Sequence, residues 1–118
     1  MTDLTTFAAA VRAFSTERDW GQFQDPKSLV LALMGEVGEV AELLQWVPAD
    51  QAVAAFEAPE RRARIGDELA DVLIYLVRLA DVLGVDLGAA GEAKLARNQE
   101  RFPVEGRASV VGVAPHKA

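Results

Sequence analysis

Residues 29–47 read LVLALMGEVGEVAELLQWV, and residues 65–79 read IGDELADVLIYLVRL. In both stretches apolar side chains recur every three or four residues, which is the period of one face of an α-helix. Each stretch also carries a pair of acidic residues with i,i+3 spacing. The two stretches therefore predict two long amphipathic helices, each with an acidic pair.

Start and stop signals extend this pattern to an all-α chain. Asp25 before Pro26 is a helix-start signal, whereas Pro48 ends that segment and Gly84 ends the next long one. Alternating strand-like runs are absent from the sequence. Because only a short linker connects the second and third helices, we expect them to pack antiparallel. The predicted helices cover residues 3–18, 26–47, 60–83 and 86–103, with a loop at residues 20–24.

Length and composition limit the organisation of the chain. The 118 residues suit a single domain, which we place at residues 1–103, and residues 104–118 lack periodicity and are predicted to be a mobile tail. Hydrophobic residues make up 51% of the chain, more than so small a domain can bury alone. We therefore expect helices whose packing is completed by oligomerisation, as a homodimer or homotetramer.

Charge and missing residue types exclude several classes of function. The net charge of −6 disfavours binding to nucleic acid or to an anionic membrane. The chain has no Cys, and its single His is His116, so thiolate sites, zinc–histidine sites and a Ser-His-Asp triad are excluded. No apolar run reaches the ~20 residues of a membrane span. We expect a cytoplasmic protein.

The direction of the acidic side chains sets them apart from an ordinary wet surface. With about 100° per residue and Leu29 at zero, Glu36 projects at about 340° and Glu39 at about 280°, both within the arc of apolar residues. On the other long helix, Glu68 falls inside the apolar arc and Asp71 lies on its edge. The helical geometry thus directs two acidic pairs toward a common region.

Four carboxylates in one dry region require compensation, because like charges in low dielectric raise one another's pKa and an unpaired buried carboxylate is costly. Protonation, or cationic side chains from another helix, is one solution. A divalent cation is the other, and it explains why both pairs face inward. All-oxygen ligation selects a hard ion, so the expected cofactor is Mg²⁺, with Mn²⁺ as a possible substitute.

Aromatic residues follow the same faces. Trp46 comes two helical turns after Glu39, Tyr75 comes one turn after Asp71, and Trp20 lies in the preceding loop. Aromatic residues at such positions often belong to the core. Beside a cation site, however, flat rings are also what a nucleobase needs for stacking.

A polar stripe occupies the last predicted helix. Lys94, Asn98 and Arg101 recur at i, i+4 and i+7. A solvated helix face and a phosphate-binding stripe both explain this spacing, and the pattern alone does not choose between them.

Three runs together resemble a known family. They are RDWGQF at residues 18–23, LALMGEVGEVAELLQW at 31–46 and DELADVLIYLV at 67–77. The chain resembles the MazG-like all-α nucleoside triphosphate pyrophosphohydrolases over about residues 4–103, and most closely their dCTP pyrophosphatase branch. The ExxE motif followed by an ExxD motif is the signature of the superfamily. The aromatic residues Trp20, Trp46 and Tyr75 that accompany it make the chain resemble the dCTP-preferring branch in particular.

The resemblance implies a MazG-like helical bundle in which paired chains complete each pocket. It implies a metal and catalytic site formed by four acids, namely Glu36, Glu39, Glu68 and Asp71. It also implies contacts to the substrate's base, sugar and phosphates from Trp20, Phe23, Trp46, Tyr75, Lys94, Asn98 and Arg101.

The expected activity is Mg²⁺-dependent hydrolysis of a deoxynucleoside triphosphate, foremost dCTP, to the monophosphate and pyrophosphate. Two alternatives remain open. One is a pyrophosphohydrolase of broad NTP or dUTP specificity on the same scaffold, and the other is a helical oligomer that binds nucleotides without catalysis.

Overall fold

The computed structural model describes residues 2–104, and within that range it contains α-helices and short 3₁₀ helices but no strand. The mobile tail predicted for residues 104–118 lies outside the described residues, apart from Val104. The all-α prediction is confirmed. The α-helices are α1 (Leu4–Glu17), α2 (Pro26–Leu44), α3 (Ala52–Ala55), α4 (Pro59–Leu83) and α5 (Leu87–Arg101). The 3₁₀ helices are Gly21–Phe23 and Ala49–Gln51.

Contacts between residues divide the chain into two compact units, with the boundary between Leu87 and Gly88. The first unit contains α1 to α4, and the second contains α5 from its second residue onward. In the described part of the chain, no helix is both long enough and apolar enough to cross a membrane.

The predicted start of α2 is confirmed. The Asp25 carboxylate accepts a hydrogen bond from the Ser28 backbone N–H at 2.9 Å, and Pro26 occupies the first turn, where a missing N–H costs nothing. This hydrogen bond from the Ser28 backbone lowers the pKa of Asp25, which keeps the capping group ionised. Asp3 caps α1 in the same way through the Thr6 backbone N–H, at 2.8 Å.

The α2 helix is shorter than predicted. It ends at Leu44 rather than at Val47, and the Val47 N–H turns back to the Leu44 carbonyl at 3.0 Å. The cause is Pro48, which disfavours the α conformation in the residue before it and thereby shortens the helix. The linker that follows contains a 3₁₀ helix and α3, neither of which the sequence pattern predicted.

The two longest helices, α2 and α4, pack antiparallel, as predicted. Glu42 and Trp46 near the end of α2 share a cavity wall with Glu60 and Arg64 near the start of α4. At the opposite end, the Arg78 guanidinium donates to the Gln24 side-chain oxygen, just before α2, at 2.8 Å.

An ion-pair network joins α1 to α4. The Arg12 guanidinium donates to both carboxylate oxygens of Asp81, through Nε at 2.9 Å and also through Nη2. The Arg78 Nη1 donates to the same carboxylate at 3.0 Å. The hydrogen bond and charge of Arg12 outweigh partial desolvation and, with Arg78, lower the pKa of Asp81. This carboxylate therefore stays ionised and holds two helices together.

The first unit leaves much apolar surface uncovered. The buried apolar residues of the described chain are Val11, Leu29, Phe56, Val77 and Ala80. By contrast, Leu31, Met34 and Val37 on α2 are half or more exposed, with Met34 at 66%. So large an apolar face is unusual on an isolated soluble domain.

Candidate functional site

Three of the four predicted acids meet between α2 and α4. Glu36 from α2 and Glu68 and Asp71 from α4 each offer a carboxylate oxygen, and these oxygens all lie within 4.8 Å of one another. Glu36 and Glu68 are half-buried. The structure thus brings together groups that are distant in the sequence and that repel one another when ionised.

Helix geometry explains this convergence. Glu68 and Asp71 are three residues apart on α4, so they project from the same face one turn apart. Glu36 lies in the middle of α2, where the antiparallel packing places it opposite that face. One acidic pair and the facing glutamate therefore form a single three-carboxylate group.

The electrostatics of Glu36 reflect this crowding. Desolvation, followed by repulsion from Asp71, Glu68 and Glu39, raises the pKa of Glu36 above its ordinary value. A raised carboxylate pKa means that the ionised form is disfavoured where it stands. A cation bound beside Glu36 would instead favour the ionised carboxylate.

Glu39 has a different position from the other three acids. It is exposed, and it is not one of the three residues whose oxygens converge. Its charge nevertheless contributes to the raised pKa of Glu36, one helical turn away. The prediction that Glu39 is a fourth ligand remains a prediction.

The donor set fits a hard divalent cation. All three donors are carboxylate oxygens, which Mg²⁺, Mn²⁺ and Ca²⁺ prefer. Two Mg²⁺ ligands on opposite sides of the ion stand about 4.2 Å apart, so small side-chain rotations would bring the three oxygens to one ion. Three protein ligands leave further positions for water and phosphate oxygens.

A cavity of about 430 Å³ opens between the end of α2 and the start of α4. Its apolar wall consists of Leu43, Trp46, Val47 and Phe56. Its charged lining consists of Glu42, Glu60, Arg61 and Arg64. The volume falls in the range of small-molecule sites.

Arg64 connects the cavity with the three-carboxylate group. Its guanidinium Nε lies 3.3 Å from Glu68 Oε1, and the Arg64 side chain is 58% exposed while the Glu68 side chain is 14% exposed. A cationic side chain thus partly neutralises one of the three acids, which is the structural alternative to a bound ion.

The four aromatic residues that were predicted to contact the substrate differ in their exposure. Trp46 is 86% exposed at the cavity, and Phe23 is 66% exposed in its 3₁₀ helix. Trp20 is partly exposed and makes an edge-to-face contact with Phe14, with ring centroids 5.4 Å apart. Tyr75 is half-buried on α4. Neither Trp46 nor Phe23 is a core residue of the single chain, so both are available to a ligand or to a partner chain.

The predicted phosphate stripe lies on α5, in the second unit. Lys94 and Asn98 are half-buried, and Arg101 is exposed with its guanidinium carbon 5.2 Å from the centre of the Phe102 ring. The i, i+4, i+7 spacing on one helix is confirmed, and the role of these residues remains a prediction.

Comparison with known proteins identifies the family. The sequence model of the MazG-like family matches residues 34–110, which include the acids of both long helices. The chain belongs to the MazG-like family. The all-α fold and the family resemblance predicted from the sequence are therefore confirmed.

Individual relatives of this MazG-like chain agree with the family match. It is 50% identical over 91 residues to dCTP pyrophosphatase 1 of Bos taurus, which covers 77% of the chain and 54% of that protein. It is 49% identical over 90 residues to dCTP pyrophosphatase 1 of Homo sapiens, covering 76% and 53%. The chain thus spans about half the length of the curated relatives it matches.

A solved structure shares the fold. A pyrophosphatase from Archaeoglobus fulgidus superposes with a TM-score of 0.78 at 30% sequence identity. The match covers 87% of the MazG-like chain and 94% of the archaeal chain.

The sequence analysis missed the charged cavity lining of this MazG-like chain. Arg64 stands one helical turn before Glu68, and this i,i+4 spacing was the signal that could have identified it. Phe56 belongs to the linker, and Glu42 lies outside the apolar arc of its helix, so the pattern gave no reason to select either.

Proposed function

We propose that this chain is a Mg²⁺-dependent nucleotide pyrophosphohydrolase that converts a deoxynucleoside triphosphate, preferably dCTP, to the monophosphate and pyrophosphate. The observation that carries the proposal is the convergence of Glu36, Glu68 and Asp71 from two helices. The names of the relatives from Bos taurus and Homo sapiens, and of the Archaeoglobus fulgidus pyrophosphatase, support the same reaction class.

In this proposal the three converging carboxylates hold the cation, with Mn²⁺ as a substitute for Mg²⁺. When bound, the ion supplies Lewis acidity and positive charge to the phosphate chain. The raised pKa of Glu36 supports this assignment, because an ion neutralises the repulsion that raises it.

Hydrolysis adds water across the phosphoanhydride bond that joins the nucleoside monophosphate to pyrophosphate. That bond breaks, a new bond forms between phosphorus and the water oxygen, and a carboxylate accepts the proton released. Glu39, exposed beside the three-carboxylate group, acts either as a fourth ligand or as this proton acceptor.

Other side chains are proposed to bind the rest of the substrate. Trp46 at the cavity offers a flat, accessible ring for the base, and Trp20, Phe23 and Tyr75 are proposed to contribute further base or sugar contacts. Lys94, Asn98 and Arg101 are proposed to bind phosphates.

We also propose that the active form is a homodimer or homotetramer. The exposed apolar side chains of α2, among them Leu31, Met34 and Val37, support an interface with a second copy. The chain has no Cys, which is compatible with the cytoplasm as its location.

The test is a pyrophosphate-release assay over the canonical dNTPs and NTPs, with Mg²⁺ and with EDTA. We expect turnover only with the divalent cation, fastest with dCTP, and its loss in Glu68→Gln. The matched control is Asp67→Asn, which removes the same charge from the adjacent exposed residue outside the three-carboxylate group. Asp67→Asn should retain wild-type turnover.

The panel also distinguishes the alternatives. Fastest turnover with dUTP, or similar turnover with many NTPs, would replace dCTP as the preferred substrate and keep the site. No pyrophosphate from any nucleotide at any metal concentration would leave a nucleotide-binding helical oligomer and refute catalysis.

A further inference from the structure

Arg64 occupies the boundary between two features of the first unit. Its Nε lies 3.3 Å from Oε1 of Glu68, a member of the three-carboxylate group. The same residue lines the 430 Å³ cavity together with Trp46. Within residues 2–104, which the structure describes, no other residue of the cavity lining makes an ion pair with the three-carboxylate group.

The contact between Arg64 and Glu68 is suited to exchange. It uses one donor at 3.3 Å, whereas Arg12 binds Asp81 through two donors, one of them at 2.9 Å. The Arg64 side chain is more than half exposed, so its guanidinium can rotate without disturbing packed neighbours. An exposed i,i+4 pair of this kind is among the weaker ionic contacts in proteins.

A cation held by the three carboxylates competes with Arg64 for Glu68. A Glu68 carboxylate that coordinates the ion has less negative charge to offer the guanidinium, and the two positive charges repel each other. Cation binding therefore weakens the ion pair and leaves the Arg64 guanidinium without its carboxylate, at the edge of the cavity.

The released guanidinium matches the chemistry of a phosphate group. Its planar fork of N–H donors pairs with two phosphate oxygens, which a carboxylate-lined site otherwise repels. Glu42 and Glu60 also line the cavity, so Arg61 and Arg64 together balance them rather than making the cavity cationic. A polyphosphate without a cation should therefore bind weakly in this cavity. A polyphosphate bound together with the cation can form a hydrogen bond with the Arg64 guanidinium.

We propose that Arg64 is a phosphate-binding residue that Glu68 holds until a divalent cation takes its place, after which its guanidinium binds a phosphate oxygen of the nucleotide. The inference rests on the proposed function, since it takes the ligand to be a nucleotide bound with its cation. The proposal predicts opposite effects of one substitution: removal of the Arg64 guanidinium should increase the affinity for the cation and decrease the affinity for the nucleotide.

The experiment compares Arg64→Gln with Arg62→Gln. Arg62 is exposed on the same helix and does not line the cavity. Because Arg62→Gln removes the same charge as Arg64→Gln, it controls for the change in net charge. Mn²⁺ affinity is measured on nucleotide-free protein by the electron paramagnetic resonance of unbound Mn²⁺. We expect Arg64→Gln to bind Mn²⁺ about twofold more tightly than Arg62→Gln, because the competing ion pair is gone.

Nucleotide affinity is then measured by calorimetry with Mg²⁺ and α,β-imido-dCTP, in which an NH bridge replaces the scissile oxygen. We expect a Kd at least about tenfold higher for Arg64→Gln than for Arg62→Gln, the effect of losing a hydrogen bond to a charged group. A merely structural role of Arg64 would weaken both ligands together.

Each arm has a result that overturns the proposal. Mn²⁺ affinity in Arg64→Gln equal to or below that in Arg62→Gln refutes the exchange at Glu68. An unchanged analogue Kd, or no analogue binding by any form including wild type, refutes the phosphate contact. Because neither measurement needs turnover, failure here is distinct from an absence of pyrophosphate release by the wild-type protein.

Discussion

Glu36 on α2 and Asp71 on α4 present carboxylate oxygens within 4.8 Å of each other, although they lie far apart in the sequence. The folded chain thus concentrates negative charge that the unfolded chain disperses. Desolvation and the charges of Asp71, Glu68 and Glu39 raise the pKa of Glu36. Because the folded state binds this proton more tightly, the contribution of Glu36 to stability grows as pH falls through its raised pKa and is lost above it.

The substitution Glu36→Gln should separate stability from metal binding. In EDTA at neutral pH we expect the variant to melt a few degrees above wild type, because one of the repelling charges is removed. Added Mg²⁺ should raise the Tm of wild type and leave that of the variant unchanged. Differential scanning fluorimetry provides the measurement, with Asp67→Asn as a control that keeps the Mg²⁺ response. An equal Mg²⁺ response in Glu36→Gln would remove Glu36 from the metal site.

The pH dependence of metal binding follows from the same raised pKa. A cation requires the ionised carboxylate, so protons compete with it, and Mn²⁺ affinity should fall as pH decreases through the raised pKa of Glu36. The loss should therefore begin above about pH 4.3, the ordinary value for Glu. Mn²⁺ titrations at successive pH values test this. An affinity that stays constant from neutral pH down to that ordinary value would show that Glu36 is not a ligand.

The Arg12–Asp81–Arg78 network predicts a stability effect away from the site. Asp81→Asn removes the carboxylate shared by α1 and α4 and leaves the Arg78 guanidinium, only 11% exposed, with a weaker partner. We expect the free energy of unfolding to fall by about 1–3 kcal/mol at neutral pH, measured by urea denaturation. Arg12→Ala should cost less, because Arg12 is half exposed and Arg78 still pairs with Asp81.

The sign of the pH effect at Asp81 is opposite to that at Glu36. Its pKa is lowered in the folded state, so its contribution is fully present above the ordinary Asp value and is lost as pH falls through the lowered one. Asp81→Asn should therefore flatten the acid-induced loss of stability. If Asp81→Asn is as stable as Asp50→Asn, an exposed control outside the network, then the ion pairs contribute nothing measurable.

Helix boundaries were predictable wherever one residue controls the backbone. Gly84 has φ of 72°, the left-handed conformation that glycine adopts without strain, and α4 ends there as predicted. The first helix was predicted to end at Arg18, and α1 ends one residue earlier, at Glu17. Asp19 follows in the same left-handed conformation, at φ 56°, although it is not a glycine. The Trp20 N–H then returns to the Ser15 carbonyl at 2.9 Å, and the Trp20 ring contacts Phe14.

The site was only partly predictable. A helical wheel gives the direction in which each side chain projects, but it does not show whether another part of the protein covers that side chain. The wheel correctly directed Glu36, Glu68 and Asp71 toward one another. It also placed Glu39 and Trp46 within the apolar arc, yet both are exposed in the single chain. The apolar arc of α2 is wider than the surface that α4 covers, and no pattern within one sequence states whether a second copy covers the remainder.

The left-handed Gly84 allows a test of backbone strain alone. A methyl group at this position would meet no atom within 4 Å, so Gly84→Ala changes only the backbone preference. We expect the free energy of unfolding to fall by about 1 kcal/mol. Gly91→Ala, within α5 and equally open, should instead raise it by up to about 1 kcal/mol. Urea denaturation checks both, and a stabilising Gly84→Ala would contradict the assigned conformation.

The exposed indole of Trp46 predicts a functional effect without a stability effect. Because the side chain is 86% exposed in the single chain, Trp46→Ala should leave the far-ultraviolet spectrum of the folded helices unchanged. Loss of a stacking surface should raise KM for dCTP severalfold and reduce the preference among the four dNTPs, with a smaller effect on kcat. Val53→Ala, equally exposed and outside the cavity, is the control and should keep wild-type kinetics. An unchanged ranking of the four dNTPs in Trp46→Ala would show that the base binds elsewhere.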